Sequence, residues 1–106
     1  MSEVLEVDQI QKVLRSFAAE RDWEQFHNPK NLAMALAGEA GELLAEFQWL
    51  SPEQSASPTD EQLNRINEEI ADVMIYTLRL ADKLDIDLSK AIKDKISKNS
   101  IKYPKE

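Results

Sequence analysis

Gly38-Glu39-Ala40-Gly41-Glu42-Leu43-Leu44 is the stretch from which the fold can be read. It continues an apolar series at helical spacing, Leu32, Leu36, Leu43, Phe47 and Leu50, yet places Glu39 on that stripe where a leucine would ordinarily stand. Glu42 follows at i, i+3, about one turn along the same face. A second stretch, Glu68-Glu69-Ile70-Ala71-Asp72-Val73, repeats the arrangement. Glu69 interrupts a stripe of Leu63, Ile66, Ile70, Val73, Thr77 and Leu80, and Asp72 lies three residues beyond it. Breaks of this kind in an otherwise consistent pattern tend to mark functional positions. If the two helices fold back antiparallel, four carboxylates converge between them. That much like charge is unfavourable without a cation, and an all-oxygen donor set points to a hard ion such as Mg²⁺, with Mn²⁺ as a substitute.

Outward from these stretches the chain reads as helix throughout. Asp8 is placed to cap a first helix in which Ile10, Val13, Leu14, Phe17 and Ala18 repeat up to about Glu20, after a frayed lead-in over residues 1–7. The run from Glu20 to Pro29 has no clean period and ends in an Asn-Pro breaker. Its Trp23 and Phe26 either plug the end of the bundle or line a ligand site, and His27 is read as a hydrogen-bonding residue of that connector. The second helix is expected from near Lys30 to about Leu50. Gly38 and Gly41 each weaken it by roughly 1 kcal/mol relative to Ala, which suggests close approach of another helix or a ligand. Residues 51–58 are expected to be an exposed loop. Thr59 with Gln62 forms a capping box that opens a third helix ending near Lys83 or Leu84. Asp87 caps a fourth, with Leu88, Ala91, Ile92 and Ile96 on its apolar side and Lys95, Asn99 and Lys102 or Tyr103 along one edge, until Pro104 ends it. No strand pattern occurs. The expected architecture is all-α, an antiparallel helical bundle of about four helices in a single domain over residues 1–106, completed by oligomerisation.

Composition narrows the function. The 106 residues contain no cysteine and one histidine, which removes disulfides, thiolate metal sites and multi-histidine sites within one chain. A formal net charge of −7 argues against binding a nucleic-acid polymer through its phosphates, though not against a nucleotide carried with a cation. No stretch is apolar for long enough to span a membrane and no secretion signal opens the chain, so the expected location is the cytoplasm.

With 20 acidic residues some i, i+3 pairs arise by chance, and Glu46, Glu53, Glu61 and Glu68 read as solvated surface acids. Glu39 and Glu69 do not, because both break apolar stripes at comparable positions. A di-iron bundle would want a Glu-x-x-His motif from each of two helices, and the single histidine cannot supply both. A Mg²⁺ held by carboxylates suits phosphate-ester or phosphoanhydride chemistry. Lys95 and Lys102 would then suit the outer phosphates, and Trp23, Trp49 and Tyr76 the faces and edges of a base.

The pattern Glu-x-x-Glu, spacer, Glu-x-x-Asp resembles the all-α nucleotide pyrophosphohydrolases of the MazG type. It is most similar to the branch of small proteins that includes the dCTP pyrophosphatases and the integron-associated MazG proteins. The resemblance extends over roughly residues 8–104. It is carried by Phe17 to His27 with its Arg-Asp-Trp-Glu-Gln-Phe-His run, Asn31-Leu32, the two acidic stretches, Phe47-Gln48-Trp49, Ile75-Tyr76, Asn99 and the closing Lys102-Tyr103-Pro104. It implies Mg²⁺-dependent hydrolysis of nucleoside triphosphates, dCTP-like or related deoxynucleotides, to the monophosphate and pyrophosphate, in nucleotide-pool sanitation. By position, Glu39, Glu42, Glu69 and Asp72 would be the metal-binding and catalytic residues. Trp23, His27, Trp49 and Tyr76 would border the base and sugar. Lys95, Asn99, Lys102 and Tyr103 would bind phosphates or the sugar from a neighbouring subunit of a dimer or homotetramer, a dimer of dimers. The implied step is attack by a metal-activated water at the anhydride between the α- and β-phosphates, with Glu42, Glu46 or Glu68 as base. Leu14 departs from the animal dCTP pyrophosphatases, which carry a histidine there, and this implies a different or broader base preference. Two other readings fit the same residues: a non-catalytic helical oligomer acting as an adaptor, and a related pyrophosphohydrolase for dUTP or a phosphoribosyl nucleotide.

Overall fold

A computed structural model describes residues 6–105 of the chain. The lead-in expected over residues 1–7 lies, up to residue 5, outside them. The described residues form α1 (Val7–Glu20), a short 3-10 turn (Glu24–Phe26), α2 (Pro29–Ala45), α3 (Pro52–Ala56), α4 (Asp60–Lys83) and α5 (Leu88–Lys102), with no strand among them. No helix among them is long and apolar enough to cross a membrane.

The helix starts follow their local chemistry. Asn28 accepts from the Asn31 backbone N–H at 2.9 Å while Pro29 occupies the first turn, so the Asn-Pro pair opens α2. The Thr59–Gln62 box opens α4 as expected, and Asp87 accepts from Lys90 N–H at 3.1 Å to open α5. Three expectations need correction. The cap of α1 is Glu6, whose backbone N–H donates to the Gln9 side chain at 3.0 Å, and Asp8 lies in the first turn instead. The second helix stops at Ala45, five residues short of Leu50, and passes into turns through Phe47 N–H to Leu44 and Leu50 N–H to Phe47. The expected loop at 51–58 holds a helix, because Ser51 and Gln54 form a reciprocal capping box with Pro52 in the first turn.

Both α1 and α4 end in the same way. After α1, Asp22 takes φ 58°, its N–H reaching Ala19 O at 3.1 Å and the Trp23 N–H reaching Ala18 O at 2.9 Å. After α4, Asp85 takes φ 56°, its N–H reaching Asp82 O at 3.2 Å and the Ile86 N–H reaching Ala81 O at 2.9 Å. These are Schellman motifs with aspartate where glycine is usual. The first of them sets the direction in which Trp23 leaves the helix.

Side-chain links fix the topology. Glu46 meets Arg65, Glu39 meets Glu69, and His27 just before α2 meets Arg79, so α2 and α4 run antiparallel. Gln11 meets Leu78 and Arg15 meets Asp82, so α1 runs parallel to α4. The core between them is small: Ala18, Leu32, Ile66, Leu78 and Ala81, plus Gln11, whose buried amide donates to Leu78 O at 3.1 Å. Leu32 is its largest fully buried side chain. Leu32→Ala is expected to destabilise the chain by roughly 2–5 kcal/mol, read as a lower urea midpoint at unchanged slope.

The fourth expected helix, α5, does not pack as expected. It buries no residue, leaves Ile92 and Ile96 exposed, and no hydrogen bond or ion pair among the described residues ties it to another helix. The radius of gyration is accordingly 16.6 Å, against about 13 Å for a compact domain of this length. The close approach expected at Gly38 and Gly41 is also absent among the described residues, since a Cβ at either would meet nothing within 4 Å there.

Candidate active site

The interrupted stripes of α2 and α4 face each other. One carboxylate oxygen each from Glu39, Glu69 and Asp72 lies within 4.8 Å of the others. Glu39 Oε2 and Glu69 Oε2 are buried with no hydrogen-bond partner among the described residues. Glu42, on the exposed turn beyond Glu39, stays outside this group of three but acts on it electrostatically. Burial, reinforced by the Glu42, Glu69 and Asp72 carboxylates, pushes Glu39 up to about 7. Burial, with the charges of Glu42 and Asp72, also raises Glu69, against a hydrogen bond from the protonated Glu39 that lowers it. Two occluded carboxylate oxygens in one acidic group, with no donor among the described residues, are what a divalent cation would satisfy, so the residues present fit a metal centre. Glu46 is not part of it. Arg65 Nε donates to it, lying 2.8 and 3.2 Å from its two oxygens, so Glu46 is engaged in an ion pair away from the group of three.

Beside the carboxylates lies a cavity of about 300 Å³, lined by Leu14, Phe17 and Ala18 of α1, Trp23 and His27 of the connector, and Asp72, Ile75, Tyr76 and Arg79 of α4. That volume is at the lower end for a small-molecule site. Asp72 belongs to both the carboxylate group and the cavity wall. Trp23 stands edge-on to Phe17, with ring centroids 5.5 Å apart, and the Arg21 guanidinium covers the Phe17 ring at 3.4 Å. The connector is held from both sides: His27 N–H bonds Glu24 O at 3.2 Å, and Asn31 Nδ2 bonds Phe26 O at 3.0 Å. A larger cavity of about 570 Å³, between the start of α1 and the α4–α5 junction, includes none of the four paired carboxylates.

Of the residues singled out from the sequence, the chain thus gathers Glu39, Glu69 and Asp72, with Glu42 at their edge, and places Trp23, His27 and Tyr76 around the adjoining cavity. It does not bring Trp49 there. That side chain is 87% exposed, past the end of α2. Lys95, Asn99, Lys102 and Tyr103 are exposed on α5 or just after it and line neither the carboxylate group nor the cavity. Sequence reasoning missed Arg79 as a site residue. Its side chain is only 3% exposed, and its Nη2 donates to Glu24 Oε1 at 2.7 Å. The signal was the Asp72, Tyr76, Arg79 series at i, i+4 and i+7, which puts all three on one helical edge.

An all-α chain with paired carboxylates on antiparallel helices beside an aromatic cavity defines a class, and comparison with known proteins names it. The model of the MazG-like family matches residues 34–106, and the chain belongs to that family. The fold matches a crystal structure of a pyrophosphatase from Archaeoglobus fulgidus, with a TM-score of 0.89 and 38% identity, covering 99% of this chain and 98% of that one. Among curated proteins it is similar to dCTP pyrophosphatase 1 of Mus musculus, 45% identical over 101 residues, and of Homo sapiens, 42% identical over 102 residues. Each alignment takes in 92% of this chain, which spans 59% of the length of these relatives.

Proposed function

We propose that the chain is a Mg²⁺-dependent nucleoside triphosphate pyrophosphohydrolase that converts deoxycytidine-type and related nucleotides to the monophosphate and pyrophosphate, and serves nucleotide-pool sanitation. The observation that carries this reading is Asp72, which joins a group of unpaired carboxylates to a base-sized aromatic cavity. The pyrophosphatase relatives lend support. Glu39, Glu69 and Asp72, with Glu42, would hold the metal. Mg²⁺ there would offset phosphate charge and polarise the phosphoryl oxygens. Trp23 and Tyr76 flank the base, and His27 bonds its edge. The indole and phenol rings exclude water from one side of the bound nucleotide. Glu42 and Glu68, both exposed, are the acids left to take a proton from the attacking water, since Arg65 engages Glu46.

We further propose that the active form contains more than one copy of the chain. A single copy exposes 8560 Å², whereas about 6000 Å² is usual for a protein of 12.1 kDa. The excess includes the unpacked side of α5. A second copy would cover it and would carry Lys95, Asn99, Lys102 and Tyr103 to a neighbour's carboxylates, with Trp49 closing the base site. Light scattering on the purified chain is expected to give a dimer or tetramer, and a monomer would remove this part of the reading.

The catalytic reading is tested by a panel of deoxy- and ribonucleoside triphosphates with Mg²⁺ or EDTA, with products resolved by chromatography. Monophosphate and pyrophosphate in equal amounts, only with Mg²⁺, are expected, with cytosine deoxynucleotides among the best substrates. Release of orthophosphate, or no turnover by a folded protein, would contradict it and favour a non-catalytic adaptor.

A further inference from the structure

His27 is the only histidine in the chain. Its Nδ1 lies 3.3 Å from Nη2 of Arg79, the same nitrogen that donates to Glu24. A guanidinium has donors and no acceptor, so at this contact Nδ1 must be the accepting nitrogen. An imidazole whose Nδ1 accepts carries its proton on Nε2. Burial, aided by the Arg79 charge, holds His27 below the ordinary histidine range, which favours the neutral ring that this contact requires. No group among the described residues bonds Nε2. Nor is Nε2 one of the occluded, unpartnered polar atoms, which are Glu39 Oε2, Glu69 Oε2 and Arg79 Nε. It is therefore open, on a ring that lines the cavity shared with Trp23, Asp72 and Tyr76.

Arg79 is itself well fixed. Its side chain is 3% exposed, with Glu24 at 2.7 Å on one nitrogen and Asp82 at 3.6 Å from the other. Lys83 holds the second oxygen of Glu24, so each oxygen of that carboxylate is engaged by a cation. The arrangement Lys83–Glu24–Arg79–His27 thus ends in one imidazole proton of defined position.

We propose that Arg79 is a positioning residue that locks His27 in the Nε2–H form, making it a fixed hydrogen-bond donor that selects nucleotides presenting an acceptor, a base carbonyl or unprotonated ring nitrogen, at that point of the cavity. The ligand half rests on the nucleotide-binding reading above; the locked tautomer does not.

The test is two-bond ¹H–¹⁵N correlation spectroscopy of the full ¹⁵N-labelled chain at pH 7, where the single histidine gives one imidazole pattern. The expected spectrum has an acceptor-type Nδ1 and a protonated-type Nε2. Adding a non-hydrolysable deoxycytidine triphosphate analogue with Mg²⁺ is expected to shift the Nε2 signals together with the Trp23 indole. In Arg79→Met the two nitrogens should move towards averaged values, and KM should rise about tenfold, the worth of roughly 1.4 kcal/mol, with a smaller change in kcat. The wild-type spectrum decides even if that variant does not fold. An Nδ1–H pattern, an averaged pair or an imidazolium in the wild type would overturn the lock. Perturbation of Trp23 with a silent His27 would overturn the donor role alone. No perturbation anywhere, with no pyrophosphate released, would overturn the nucleotide reading and the ligand half with it.

Discussion

Asp72→Asn is expected to reduce pyrophosphate release by roughly 10²–10³-fold or more, the range seen when one electrostatic stabiliser of a transition state is removed. The substitution keeps the shape of the side chain and deletes its charge. Asp72 sits in the carboxylate group and in the cavity wall at once, so the loss is expected in kcat and in kcat/KM alike. Helix content should be unchanged, because removing one charge from a repulsive cluster relieves strain on α2 and α4. Circular dichroism beside steady-state kinetics checks both halves. A folded Asp72→Asn protein with near wild-type turnover would place the chemistry elsewhere.

The second large effect concerns stability without metal. The Glu39 carboxyl titrates at about 7 in the folded chain against an ordinary 4.5. A raised folded value means that the folded state holds its proton more tightly than the unfolded state does. The corresponding stability is complete below about pH 4.5 and is lost as pH rises through about 7. In EDTA the melting temperature should therefore fall across this window. His27, held below its ordinary 6.5, contributes the opposite slope near that value, since its neutral form is favoured by folding. Glu39→Gln isolates the carboxyl part. At pH 7.5 in EDTA the variant should melt about 4–8 °C above wild type for each ~1 kcal/mol of repulsion relieved, a modest figure because solvent reaches part of the cluster. The two proteins should converge below pH 4.5. Saturating Mg²⁺ should raise the wild type and leave Glu39→Gln nearly unmoved. Parallel melting curves at every pH would contradict the electrostatic account of Glu39.

Much of this site was legible because it breaks a rule locally. Glu39 and Glu69 are acids at positions where periodicity demands leucine, and the helix period alone puts Glu42 and Asp72 on the same faces. The long α4 was equally readable, with its Thr59–Gln62 box at one end and an amphipathic stripe along its length. What periodicity cannot see is how far a helix continues once its apolar face has nothing to bury against. The second helix was therefore read through to Leu50, although the backbone leaves it at Ala45. The same blindness put α5 into the bundle, because an apolar edge shows that something covers it but not whether the cover is the same chain. The Ser51–Gln54 box was missed for a different reason. Five residues between two prolines give no stripe, and only the cap chemistry marks the helix. Arg79 was hidden because its burial depends on Glu24 and His27, which lie more than fifty residues away in sequence and close only in the fold.

The central claim is that the paired carboxylates of α2 and α4 hold a divalent cation for a nucleotide's phosphates. Its most direct test is Mn²⁺ binding followed by electron paramagnetic resonance, with a non-hydrolysable deoxynucleoside triphosphate present, in wild type and in Glu69→Gln. The account predicts saturable Mn²⁺ binding by the wild-type protein, displaced by Mg²⁺, and at least tenfold weaker in the variant. Equal binding by the two folded proteins, or none by the wild type, would contradict it.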